Sequence, residues 1–444
     1  MAYDISVTPI VGGATLFPKP PTYSPGDGYT INHGIALSDN YLLFMVGRAN
    51  DPSLVLAHRT ESALEHVQSW HDLPGSGWML QRLDDTRALI LWPQTSPNYY
   101  QWNDLWGCLV KVQSGVGTVG SATLISESID DGATARGWVP NQRAVWLEDD
   151  THARFVVGHS STNVGYEKHN YVFRVQLQDV AITPMGFSHL VESNGSLADD
   201  AAAPLNGILL SPYSGGSFAL GDGRFVVRGA GAANPSSYTQ GDHVEALHLF
   251  DTNGVRVASS DELVHYEYGQ ESGSGFERVR SDGTSALVVD LHRNDYTFQH
   301  TLTSRVATFS NNQVTLGEPA FVQALESSSP YLPYNGDELH RVLDVYGVLW
   351  GYTTGLDPYF YALLDEDGVV LNQISVDGLR DQVQVVMDQG GRGLVWAEEW
   401  DGAADNGYGA WVQYMWLLDV TGPPTITPAI SGGLKDTRRR FWGT

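Results

Sequence analysis

Residues 277–290 read ERVRSDGTSALVVD: a short strand-like run, a tight polar turn at Asp282-Gly283-Thr284, and a second, strongly apolar run. The same sentence is written six more times. It occurs as HGIALSDNYLLFMVG (33–47), MLQRLDDTRALILW (79–92), AVWLEDDTHARFVVG (144–158), GSFALGDGRFVVRG (216–229), LHRVLDVYGVLWGY (339–352) and VQVVMDQGGRGLVW (383–396). Each copy carries an Asp where the chain turns. Its carboxylate can accept hydrogen bonds from backbone amides two residues on and so fix the turn. That role is expected of Asp39, Asp85, Asp150, Asp222, Asp282, Asp344 and Asp388.

Copies recur every 45 to 70 residues or so. Several short strands per copy at such a period predict an all-β chain, a seven-bladed β-propeller with four-stranded antiparallel blades. The fifth copy serves as template. Strand A (276–281) lies innermost; B is 285–292, C is 301–310, and D (313–322) is outermost. Asn311-Asn312 makes the C–D hairpin, because Asn tolerates the left-handed backbone. The expected organisation is one propeller over 1–434, with a basic and aromatic tail at 435–444. Within 1–30 lie a closing strand and a Pro/Gly-rich approach. ISVTPIVGG (5–13) and PTITPAISGG (424–433) both read as D strands, so either can close the ring.

Composition narrows the function. There are 51 acidic against 25 basic residues, a net charge of −26, and lysine stands only at 19, 111, 168 and 435. Such a surface repels phosphate backbones, so no nucleic-acid partner is expected. No run of about 18 apolar residues exists to insert into a membrane, and the first residues lack the pattern of a secretory signal. Cys108, the single cysteine, sits in an apolar run and reads as buried. The DEDG turn at 365–368 lacks the further oxygen ligands of a calcium loop, and no HExxH or GxSxG occurs. Neither a metal, a cofactor nor a catalytic set is expected.

The short A–B and C–D turns alternate with long B–C and D–A connections, among them 93–104, 192–206, 229–243 and 398–409. In a four-stranded meander the long ones share one rim, where binding usually resides. Tyr99, Tyr100 and Trp102 in one such loop offer faces to sugars or proteins. Glu398, Glu399 and Asp401, flanked by Trp396 and Trp400, are the densest carboxylate–aromatic cluster. Trp400, Glu399 and Asp401 read as a glycoside-hydrolysing pair beside an aromatic platform, as sugar-binding, or as structural rim. Glu398 and Glu399 cannot serve one site unless the strand has ended.

Arg82, Arg143, Arg278 and Arg341 fall on inner strands, with His33 and Gln384 in similar places. They either converge on the channel, where guanidinium groups grip carboxylates, or pair with blade carboxylates. The first arrangement resembles the arginine ring with which sialidases hold an acidic sugar. However, Ser281-Asp282-Gly283-Thr284 is only a shortened form of the sialidase Asp-box. The pattern matches neither WD40 nor Kelch repeats. The whole layout, seven divergent blades, resembles propeller modules of bacteriophage virion proteins. That resemblance implies a virion component, a tail-fibre or adhesion device, made in the host cytoplasm and binding a host surface glycan or protein. Its other partners would be virion proteins or copies of itself, with Arg438, Arg439, Arg440, Phe441 and Trp442 as the assembly anchor. A carbohydrate-active propeller enzyme and a cytoplasmic scaffold are the alternatives.

Overall fold

A computed structural model describes residues 3–10, 31–38, 40–48, 51–71, 73, 79–96, 99–128, 136–161, 168–191, 217–232, 243–261, 263–266, 275–294, 299–325, 330–331, 339–352, 359–376, 383–401 and 410–422. These residues form seven blades of four antiparallel strands around a channel. Blade 1 runs outward through Ile31–Ala36, Tyr41–Arg48, Asp51–Arg59 and Leu64–Trp70. Blades 2, 3 and 4 begin on the inner strands Met79–Arg82, Arg136–Asp149 and Ser217–Ala219. Blades 5, 6 and 7 begin on Gly275–Val279, Leu339–Val342 and Gln384–Met387.

Each blade packs both faces against its neighbours. Seven apolar clusters, one per seam, make the core of the described residues. One cluster joins Leu89 of blade 2 to Phe155 of blade 3; another joins Val226 and Leu247 of blade 4 to Val288 of blade 5. This is why strand B reads as a continuous apolar run (ALILW, SALVV) rather than an alternating one: a strand covered on both faces has no polar side.

The ring closes with the N-terminal strand. Asp4–Pro9 pairs with Ala410–Thr421 of blade 7, from Asp4↔Thr421 to Pro9↔Trp416, and so supplies that blade's fourth strand. A second tie crosses the seam between blades 7 and 1. The fully buried Arg59 donates through Nη2 to both carboxylate oxygens of Asp419, each at 2.7 Å, and through Nε to the Gly393 carbonyl.

The Asp rule holds in three A–B turns, shifts by one residue in two more, and is not met at Asp344. Asp282 accepts from the Thr284 and Ser285 amides, Asp222 from Arg224, and Asp388 from Arg392. In the Asp-Asp turns the first carboxylate does this work, Asp84 for Thr86 and Arg87 and Asp149 for Thr151, rather than Asp85 and Asp150. The amide two residues ahead must be the one pointing back into the turn, and only the first Asp has it there. Asp344 instead accepts from the Tyr3 hydroxyl, and Asp39 lies outside the described residues. In the C–D turns Asp251 and Asp365 play the same part. Asn311 and Asn312 take φ of 49° and 54°, as their hairpin requires.

Segment 93–104 is mostly strand, not loop. Arg87–Ser96 and Tyr99–Gln113 pair from Pro93↔Leu105 to Thr95↔Asn103, leaving two residues between them. Aromatic and polar residues paired across both strands carry the hairpin beyond the apolar core. The D strand of the template divides in two, Gln313–Leu316 and Phe321–Leu325, both paired to Gln299–Ser310.

Candidate functional site

The inner strands of the blades surround a cavity of about 660 Å³. Its described wall combines Gln81 and Arg82 from blade 2, Trp146 from blade 3, Phe218 from blade 4, Arg278 from blade 5 and Gln389 from the A–B turn of blade 7. The turn residues Asp84 and Asp85 place the cavity at the end that carries the short A–B turns. This end of the channel is therefore framed by backbone that the Asp-capped turns hold rigid, which is what a preformed site needs.

Of the four inner arginines, Arg82 and Arg278 line the cavity. Arg82 is held from its own turn. Its Nη2 pairs with Asp85, three residues on, and its Nε donates to the Asp84 carbonyl at 3.3 Å. Arg341 turns to the C–D turn of its own blade, 3.7 Å from Glu366. The side chain of Arg143 lies outside the described residues, although its strand is defined. The arginine ring read from the sequence is thus divided between channel wall and ion pairs with nearby carboxylates.

The remaining basic groups explain where so few cations go. Arg87 reaches from blade 2 to the Asp150 carbonyl of blade 3 at 2.8 Å, and Arg154 from blade 3 to the Thr252 carbonyl of blade 4 at 2.6 Å. Arg224 reaches from blade 4 to the Phe309 carbonyl of blade 5. Arg280 reaches from blade 5 to Glu366 and Asp367 of blade 6, at 3.3 and 3.1 Å. Arg392 of blade 7 meets Glu61 of blade 1 at 3.2 Å. Five blades therefore use an arginine beside the A–B turn as a staple onto the next blade.

Charge within the wall is fixed by this bonding. Burial raises Asp84, but the Thr86 amide and the Arg87 guanidinium outweigh it and hold the carboxyl below its usual range. Asp84 is therefore an ionised acceptor, not a proton donor. Glu277 presents its backbone to the cavity while its side chain turns away into the seam between blades 4 and 5. There its carboxylate meets the buried Arg228 at 2.5 Å, beside Asp290 at 2.7 Å.

The rim candidates are defined only in backbone. Glu398 pairs with Gln413, Glu399 with Val412, Trp400 with Trp411 and Asp401 with Ala410, so the strand has not ended there. Their side chains, and those of Tyr99, Tyr100 and Trp102, lie outside the described residues, as do Arg438, Arg439, Arg440, Phe441 and Trp442 altogether. Sequence reading missed Gln81, Trp146, Phe218 and Gln389. The available signal was their distance from the A–B turn: each lies within five residues of a turn Asp or of its glycine.

No protein-family profile matches the chain, and no curated protein does. Among solved structures, a PL25 ulvan lyase bound to -[GlcA(1-4)Rha3S]- aligns at TM-score 0.46 and 9% identity, over 82% of this chain and 84% of that one. A levansucrase of B. megaterium aligns at TM-score 0.35 and 10% identity, over 69% and 88%. An uncharacterized protein of Listeria monocytogenes aligns at TM-score 0.39 and 10% identity, over 84% and 89%. Likenesses this distant carry no functional weight.

Proposed function

We propose that this chain is a carbohydrate-binding propeller whose ligand sits in the central channel. The observation that carries this reading is the composition of the channel wall. A cavity of about 660 Å³ brings Gln81, Arg82, Asp84 and Gln389 into one wall, while the rings of Trp146 and Phe218 beside it pack into the flanking seams against Phe225 and Phe309. That volume falls in the usual range for small-molecule sites, roughly 300–1,000 Å³. Amides and paired charges of this kind suit the hydroxyls of a sugar.

The test is a glycan array followed by calorimetry on wild type and on Gln81→Ala with Gln389→Ala. Binding that weakens tenfold or more in the double variant, at unchanged melting temperature, supports the channel. Glycan binding that ignores both changes places the site elsewhere and sinks the reading.

Two finer readings follow, the first of which places binding on the loop-rich rim. One is the virion adhesion component expected from the layout; deleting 435–444 and assaying incorporation into particles tests it. The other is a carbohydrate-active enzyme, tested by product release from polysaccharides that bind. The ionised state of Asp84 supports binding rather than acid catalysis at that group.

A further inference from the structure

We infer that the channel selects uncharged saccharides and excludes anionic ones such as uronates, sulfated sugars and sialosides. The inference rests on the channel reading above and specifies its ligand class. An anionic sugar needs a cation that the protein has left available. Arg82 already serves Asp85 and the Asp84 carbonyl, and Arg278 is not free either. The cations nearest the A–B turns are likewise engaged, Arg87 with Asp84 and Arg224 with Asp222, at 2.6 and 2.7 Å.

The mouth adds repulsion. The A–B turn of blade 2 brings Asp84 and the exposed Asp85 to the cavity wall. Carboxylates of one sign around a concave opening focus their field into it. The Arg82–Asp85 pair is weak taken singly, because Asp85 is 62% exposed. An anion displacing Asp85 from Arg82 would still leave that carboxylate, and Asp84, beside it. A neutral sugar meets no such conflict. It can accept from Arg82 and the amides of Gln81 and Gln389 and donate to Asp84 and Asp85, leaving every ion pair in place.

The experiment measures binding of the full chain to neutral hexose oligomers and to oligouronates of the same length and linkage. A parallel series uses Asp85→Asn, which releases Arg82 and removes one mouth carboxylate. Wild type is expected to prefer the neutral oligomer by at least tenfold, and Asp85→Asn to narrow that preference by at least tenfold. If wild type holds uronates as tightly as neutral oligomers, while Gln81→Ala weakens both, the charge inference fails and the channel reading stands. If the preference persists unchanged in Asp85→Asn, the charge mechanism is also overturned. If neither class binds, the channel reading itself falls, and the inference with it.

Discussion

At the scale of single residues, stability is concentrated at a few buried polar groups. Arg59 is the clearest. Replacing it with Ala strips Asp419 of its bidentate partner at the ring seam, and a broken buried pair costs about 3–5 kcal/mol. Asp419 is 29% exposed, so the lower end applies, and urea unfolding should show a loss of about 3 kcal/mol. A loss below about 0.5 kcal/mol would mean the tie is idle. His248 gives a pH signature. Burial, with the charge of Arg256 beside it, pushes its imidazole down to about 3. The folded state thus binds no proton at His248 where the unfolded state does, between about 6.5 and 3. Its contribution to stability is complete above that window and is lost as pH falls through it. His248→Gln should flatten the acid limb of a stability–pH curve, and NMR should find the ring neutral down to about pH 4. Gly347 tolerates no side chain, since a Cβ there would run into the Tyr361 hydroxyl and His340. Gly347→Ala should cost about 1–3 kcal/mol by overpacking, read by thermal melting.

At the scale of elements, the blades were legible because each repeats one local instruction. The template strands of blade 5 sit within a few residues of their expected places, and ISVTPI was readable as a D strand. The Asp-Asp turns misled by one residue because either carboxylate satisfies the pattern, and only backbone geometry chooses Asp84 and Asp149. The strand character of 93–96 was hidden by Pro93, which pairs with Leu105 even though it has no amide to donate. The channel wall was half legible. Arg82 and Arg278 could be placed from the inner strands, but their partners could not, since register decides which carboxylate each meets. The arginine staples should act as small, separable terms. Arg280→Ala is expected to cost about 0.5–1 kcal/mol, with the effect shrinking in high salt. The N-terminal strand is different in kind. Deleting residues 1–10 bares the backbone edge of Ala410–Thr421, and the protein should melt markedly lower and self-associate, measured by calorimetry and light scattering.

At the scale of the whole molecule, seven seams share the core and no blade has one of its own. Unfolding should therefore be cooperative around the ring, so that a mutation in one seam shifts the single transition instead of adding a second. The charge of the molecule has a matching logic: most described arginines are spent between blades, which leaves the carboxylates to dominate the outside. The closing strand also imposes a schedule. Asp4 pairs with Thr421, so the ribosome must translate nearly the whole propeller between one partner and the other. At about 5–20 residues per second, the strand waits roughly 20–80 s for its place. Throughout that interval the nascent chain carries an unmated β-strand. Any other open strand edge within reach, including that of a neighbouring nascent chain on the same message, competes for it until Thr421 has been made.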